Sequence, residues 1–423
     1  MRTQEILFDL NKALIPALGC TDPISIAYAA TIARNANPGL VLKNITVKVN
    51  GALIKNAAAV YIPNTDLYGI ANAATLGAFI NNPDLKMQLM HQINPEIINL
   101  TKQFVSQNLT KVEWVNQDCL TIQVEITTEL GSSMALIEND YTHIALVKYK
   151  EQLIFEDRFS HSDKTSKEKY SIDEIIQFAK TVPLDHLNQV NEAIQMNSTF
   201  SQQETHTAYE IGIGNRLHQE AHGHLWLEIL SKTAGASDAR MAGSSLPVMS
   251  NSGSGNQGLL TLIPIIMMSR ALNSDSQTQL RACTLSAAIM MAIKQKFGLM
   301  SGICSAVVAA CGTAAGLTYL QTQDDDQIKQ AIHNTLANVS GIHCDGAKTS
   351  CALKVSTCAF AALSSSSLAI HHEGVQNMEG YTEENIDDTI DHLAELSQIS
   401  RGETDRRIIE IITQKQVNVK DKN

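Results

Sequence analysis

Gly341-Ile342-His343-Cys344-Asp345-Gly346-Ala347-Lys348-Thr349-Ser350-Cys351-Ala352-Leu353-Lys354 puts two cysteines, two lysines, an aspartate and a histidine into fourteen residues. The runs on either side are mostly Ala, Val, Leu and Ser. Were Cys344 and Cys351 inside one regular helix, its rise would hold them roughly 10 Å apart. That is too far for two thiolates to clasp one small metal centre. Gly341 and Gly346 argue against such a helix, because glycine favours turns and left-handed backbone over helix interior. Thr349 is then the expected N-cap, and Cys351 falls in the first helical turn. In that arrangement a loop folds Cys344 back toward Cys351, and the helix N-terminus favours the thiolate form of the latter. Two readings stand at this point: a metal or cluster site, and a pair of small buried hydrophobes.

Outward from this stretch, the composition bounds the rest. A chain of 423 residues is long enough for two or three domains and a sizeable core. Aromatic content is low and Ala, Ser, Leu and Ile are abundant, a mixture suited to closely packed helices. The formal charge of −11 argues against nucleic acid or an anionic membrane as partner, since both want basic surface. Glu5 and Asp9 stand where a signal peptide needs an apolar run. The apolar stretch Gly258–Met268 contains Pro264 and is too short to span a bilayer. A cytoplasmic protein is expected. Its eight cysteines (Cys20, Cys119, Cys283, Cys304, Cys311, Cys344, Cys351 and Cys358) then read as thiols or metal ligands rather than disulfides.

Three regions are expected, in an α+β fold. Residues 1–38 read as helix, turn, helix, packing on the catalytic domain. Gly19-Cys20-Thr21-Asp22-Pro23 forms the turn, Thr21 or Asp22 the cap, and Pro23 the first helical position. Residues 39–170 form a small α+β domain with an antiparallel sheet, because Ile45–Val49 and Leu120–Ile126 alternate with period two. His143–Tyr149 and Gln152–Phe155 extend that meander, with helices near Gly69–Ile80 and Pro95–Ser106. The polar run Glu156–Tyr170 is the expected linker. Residues 171–423 form a large all-helical domain, with helices expected over Ile172–Lys180, Thr205–Glu228, Gln279–Lys294, Ser301–Leu320 and Ser350–Ile370 among others.

Two further constellations carry chemistry. His218, His222 and His224 form H-x-x-x-H-x-H on an expected helix, where i and i+4 share a face, although no third ligand stands nearby. Structural or surface histidines are the plainer reading. Met249–Gly258 is a polar loop entering an apolar segment. Backbone N–H groups at such a junction cradle a carboxylate or phosphate, with Asn256 and Gln257 as added donors; an ordinary interhelical loop is the alternative. The loop is similar to the asparagine-containing loop that grips substrate carboxylate in pyridoxal-phosphate enzymes of the serine dehydratase and cysteine synthase type. Lys232 stands upstream where a Schiff-base lysine would, yet no glycine-rich phosphate-binding run follows.

Taken together, the sequence resembles the L-cysteine desulfidase family, itself related to the iron–sulfur L-serine dehydratases. The resemblance rests on Leu18-Gly19-Cys20-Thr21-Asp22-Pro23, the Ser252–Gly258 loop and Ser301-Gly302-Ile303-Cys304. It continues through Cys344-Asp345-Gly346-Ala347-Lys348 with Cys351, and Gly402-Glu403-Thr404-Asp405. It implies a [4Fe–4S] cluster on Cys304, Cys344 and Cys351 with its fourth iron open to the leaving group of the substrate. It further implies a reactive Cys20, whose place before a capped helix should lower its thiol pKa. Ser252, Ser254, Asn256 and Gln257 would hold the substrate carboxylate. Lys348 would serve as base or as a positive partner, with Lys354 as its rival. A cysteine near the C-terminus caps the open iron in some serine dehydratases, and Asp421-Lys422-Asn423 offers none. The implied reaction is elimination from L-cysteine, giving pyruvate, ammonia and hydrogen sulfide. L-serine is the rival substrate, with a pyridoxal-phosphate lyase or a zinc-containing binding protein as further alternatives. A small amino acid is the expected partner, and self-assembly into a homo-oligomer is left open.

Overall fold

The computed structural model describes residues 2–117, 119–157, 170–204, 209, 211–298, 301–376 and 379–420. Most of the expected linker and the last three residues lie outside them.

Helix α1 (Thr3–Ala13) leads through the short strand β1 (Pro16–Ala17) to α2 (Thr21–Asn35). Then come β2 (Leu42–Asn50), α3 (Gly51–Ala57), α4 (Ile70–Ile80), α5 (Pro95–Ser106), β3 (Thr110–Val115), β4 (Thr121–Thr128), β5 (Gly131–Glu138), β6 (Ile144–Tyr149) and β7 (Gln152–Glu156). These strands form one sheet in the order β3-β2-β4-β5-β6-β7. All its pairings are antiparallel except β2–β3, which is parallel. The sheet is therefore mixed rather than the plain meander expected. β2 buries Ile45, Val47 and Val49 and β4 buries Ile122, Val124 and Ile126, the inward positions of two alternating strands. Helices α2 and α4 cover that face in a core that also takes Ile409 from the end of the chain.

The second core is helical. It contains α6 (Ile172–Thr181), α7 (Asn188–Glu204), α8 (Ile213–Ala221), α9 (Leu225–Met241), α10 (Gly255–Ala271), α11 (Ser276–Phe297), α12 (Ser305–Gln321), α13 (Asp325–Val339), α14 (Cys351–Ala369) and α15 (Ile386–Lys420). Ser171 opens α6 with a reciprocal capping box to Glu174. Small residues set the spacing at the centre: a Cβ at Gly312 of α12 would lie 2.3 Å from the Ser286 carbonyl of α11. Ile6 and Leu10 of α1, with Leu14 just after it, belong to this helical core. Among the described residues one helix, α14, is long and apolar enough to cross a bilayer, and half of its apolar window is buried inside the fold.

Two strands stitch the N-terminal segment to the helical part. β1 pairs antiparallel with β8 (Val248–Met249), Pro16 opposite Met249 and Ala17 opposite Val248. Hydrogen bonds from Ser250 N to Ile15 O and from Ser252 N to Ala13 O extend the ladder. This fixes the Ser252 loop against the turn that carries Cys20.

A thiol-centred candidate active site

Cys304 and Cys344 are neighbours because two backbone segments cross as a single antiparallel bridge, Ile303 to His343. Cys304 N donates to Ile342 O at 2.8 Å and Cys344 N to Gly302 O at 3.0 Å. Cys304 then caps α12 without a side-chain hydrogen bond, leaving its sulfur free to face the other loop. Ser301 Oγ meets Ser397 Oγ of α15 at 2.6 Å and so pins the crossing.

The loop after Cys344 turns through Gly346, whose φ of +98° suits glycine alone. A Cβ there would lie 2.1 Å from the Lys55 carbonyl of α3. The expected N-cap Thr349 is displaced by one residue: Ser350 occupies that position, makes no side-chain cap, and Cys351 is the first residue of α14. Asp345 holds the loop closed, pairing with Lys348 at 2.7 Å and also with Lys354. Lys348 donates to Gly346 O at 3.1 Å and Lys354 to His343 O at 2.8 Å. Both lysines are thus engaged in shaping the cysteine loop. Burial alone would raise the Asp345 carboxyl, but hydrogen bonds from Lys348 and Lys354 hold it down at about 2.

The third element comes from the other end of the chain. Cys20 packs with Val60 and Met241, and Ala347 and Cys351 lie against that cluster. Thr21 and Asp22 do not cap α2 with their side chains as expected. Thr21 Oγ1 donates to Gly253 O at 2.9 Å, and the Asp22 carboxylate accepts from Cys20 Sγ at 3.5 Å and from Asn56 Nδ2 at 3.4 Å. Tyr141, from the turn between β5 and β6, also hydrogen-bonds Asp22, so the sheet domain reaches the site directly. The expectation of a depressed Cys20 pKa fails. Cys20 is buried, and desolvation with the nearby Asp22 charge pushes the thiol well above its ordinary value, while Arg240 opposes this.

Arg240 and Lys294 are the residues that sequence reasoning missed. Arg240, at the end of α9, is 3% exposed. Its Nη2 donates to Gly19 O at 2.6 Å and its Nη1 to Asn256 Oδ1 at 3.1 Å, tying the Cys20 turn to the polar loop. It feels the Cys20 and Cys351 sulfurs. Lys294 of α11, 6% exposed, donates to Ser305 Oγ at 3.1 Å. Burial brings its ammonium down to about 8, against the pull of Cys344 and Cys304. Among the described residues neither cation has a carboxylate within ion-pair distance. Only the fold makes them visible, since each acquires its neighbours from segments distant in sequence.

The polar loop sits beside these groups. Ser252 and Gly253 have positive φ, Ser252 Oγ donates to Asn251 Oδ1 at 2.9 Å, and Ser254 caps α10 without a side-chain bond. Gln257 is buried and its Oε1 has no partner. The structure therefore gathers Cys20, Cys304, Cys344, Cys351, Lys348 and the Ser252–Gln257 loop around one region. It does not gather the histidines: His218 bonds Glu228 at 3.0 Å, His222 ends α8 and His224 precedes α9. The single helix expected over Thr205–Glu228 is broken there. Lys232 lines a separate cavity of about 60 Å³ with Ser198, Gln202 and Arg270, too small for a pyridoxal ring and its phosphate.

Among the described residues no three His, Cys, Asp or Glu side chains stand close enough to share one metal ion. A four-iron cluster makes a different demand, because its cysteines each bind a separate iron and stand farther apart. The donor set fits that demand: three thiols from two crossed loops, with Cys304 pushed up to about 12 by burial and by its neighbours Cys344 and Cys351. Such thiols release their protons on metal binding, and the buried Lys294 cation beside Cys344 and Cys304 suits the anionic centre that results.

Fold and site together define an α+β protein with a partly buried three-cysteine centre between helix N-termini. The family model described as "Serine dehydratase alpha chain" matches residues 87–410, and the chain belongs to that family. Relatives carrying the name UPF0597 protein match nearly end to end. One from Clostridium perfringens is 32% identical over 420 residues, covering 97% of this chain and 98% of its own. One from Bacteroides thetaiotaomicron is 30% identical (97% and 98% covered), and one from Dichelobacter nodosus 32% (97% of each).

Proposed function

We propose that this serine dehydratase relative is a cytoplasmic iron–sulfur lyase that eliminates hydrogen sulfide from L-cysteine. The observation that carries the reading is the convergence of Cys304, Cys344 and Cys351 with Cys20 and the Ser252–Gln257 loop, brought from three parts of the chain. Cys304, Cys344 and Cys351 would hold a [4Fe–4S] cluster, which when bound supplies Lewis acidity toward the leaving atom.

The chain's own residues account for the rest. Ser252, Ser254, Asn256 and Gln257 line the polar loop at the N-terminus of α10, where uncapped N–H groups favour a carboxylate. Cys20 takes the Cα proton. A thiolate in that buried position is rarer than an exposed one but a stronger base, which suits a weakly acidic carbon. The Cα–H electrons form the Cα=Cβ bond as the Cβ–S bond breaks and hydrosulfide leaves. The resulting 2-aminoacrylate tautomerises and takes up water, giving pyruvate and ammonia. Lys348 contributes positive charge at the mouth of the cysteine loop. Asp22, with Tyr141 and Asn56, orients the Cys20 sulfur.

L-serine is the second reading, favoured by the family description itself. Anaerobic assay of pyruvate from each amino acid tests both. Sulfide released one-for-one with pyruvate from L-cysteine supports the first, and faster pyruvate release from L-serine replaces it with the second. A Cys20→Ala variant should keep its iron and lose most activity; failure to assemble iron would make Cys20 a ligand instead.

A further inference from the structure

We propose that Arg240 is the anchor for the substrate's carboxylate, a role that deepens the lyase reading and rests on it for the substrate's identity. A guanidinium buried to 3% exposure is costly unless an anion compensates it. Here its hydrogen-bond partners are neutral: the Gly19 carbonyl, the Asn256 side-chain oxygen and the Met241 sulfur at 3.4 Å. Among the described residues its Nε has no hydrogen-bond partner. Asp22 and the Cys20 and Cys351 sulfurs act on it through space, yet among the described residues none of them accepts a hydrogen bond from it, which points to an anion supplied from outside the chain.

Its position names the anion's class. Arg240 touches both the residue before Cys20 and the first turn of α10, so it stands between the candidate base and the polar loop. Gly255 is moulded to it: a Cβ there would lie 2.2 Å from Nε. The planar fork of an arginine presents paired donors that match a carboxylate. A carboxylate held there has the N-termini of α2 and α10 nearby, since Arg240 bonds Gly19 just before α2 and Asn256 in the first turn of α10. The ligand class is thus a small molecule with a free carboxylate and a thiol or hydroxyl two carbons from it. Asn256 orients the fork, which makes it a positioning residue.

The test uses anaerobically reconstituted protein with counted iron, titrated with 3-mercaptopropionate (thiol and carboxylate) and with cysteamine (thiol and no carboxylate). R240M should bind 3-mercaptopropionate about a hundredfold more weakly and R240K about tenfold. Cysteamine affinity and iron content should not change. Unchanged 3-mercaptopropionate binding, equal weakening of both probes, or loss of iron in both variants would each overturn the assignment. If R240M does not fold, R240K still decides, because it keeps the charge and loses the two-pronged contact. Wild-type protein that yields no pyruvate from L-cysteine or L-serine, yet binds 3-mercaptopropionate through Arg240, sinks the lyase reading and leaves the anchor standing. Pyruvate release with Arg240-independent binding does the reverse.

Discussion

Removing one half of the buried Lys55–Asp405 ion pair should destabilise the protein and disturb the cysteine loop together. The pair spans α3 and α15, with Nζ and Oδ2 2.8 Å apart and side chains 2% and 7% exposed. At an effective dielectric of about 20 the attraction at that distance is about 6 kcal/mol. Desolvating two ions costs several kcal/mol each, so the intact pair adds little net stability over an apolar one. Truncating Asp405 to Ala leaves the ammonium buried and uncompensated, at a cost of about 3–5 kcal/mol. The double variant Lys55→Met/Asp405→Leu should recover most of that loss. Guanidinium unfolding followed by fluorescence reports it well, since Trp114 lies against Gly51 at the start of α3 and Trp226 packs against the helical core. The Lys55 carbonyl abuts Gly346, so Asp405→Ala should also lower iron uptake. A loss below about 1 kcal/mol in Asp405→Ala, or a double variant less stable than the single one, would refute this reasoning.

Cys304→Ser, Cys344→Ser and Cys351→Ser should each lose iron and activity together on iron analysis, whereas Cys311→Ala and Cys358→Ala, in helix interiors, should keep both. Gly346→Ala should cost roughly 1–3 kcal/mol by forcing a side chain into the Lys55 backbone at positive φ, and it should bind less iron than wild type. Burial raises the Asp22 pKa above its ordinary 3.8, so the folded state binds that proton more tightly than the unfolded one. The penalty is absent below pH about 3.8, grows as pH rises from there to the folded pKa, and is constant above it. Asp22→Asn should therefore gain stability at pH 7 relative to wild type, with the gain fading in acid, while activity falls because Cys20 loses its charged acceptor. A gain that is equal at both pH values contradicts this.

The sequence carried the helices best where a cap or period was strong, as at α6 with its Ser171 box and at α5, whose bounds Pro95–Ser106 match expectation. The edge strand β3 was missed because its side chains are largely exposed and no buried face marks it. β5 begins Gly131-Ser132-Ser133, which reads as a turn, and α10 contains Pro264, which reads as an interruption. The site was legible as a set of cysteines because thiols are rare and their spacing is informative. Arg240, Lys294 and Tyr141 were not, since each acquires its role from a partner far away in sequence, such as Gly19 for Arg240 or Asp22 for Tyr141. Burial also reversed the expected direction of the Cys20 pKa, a desolvation effect that position before a helix could not reveal.

The most direct test of the central claim follows pyruvate release from L-cysteine as iron and sulfide are added back anaerobically to the metal-free protein. Activity should rise with bound iron and level off near about four irons per chain. Full pyruvate release without iron, or none from the iron-loaded protein with either L-cysteine or L-serine, would contradict the account.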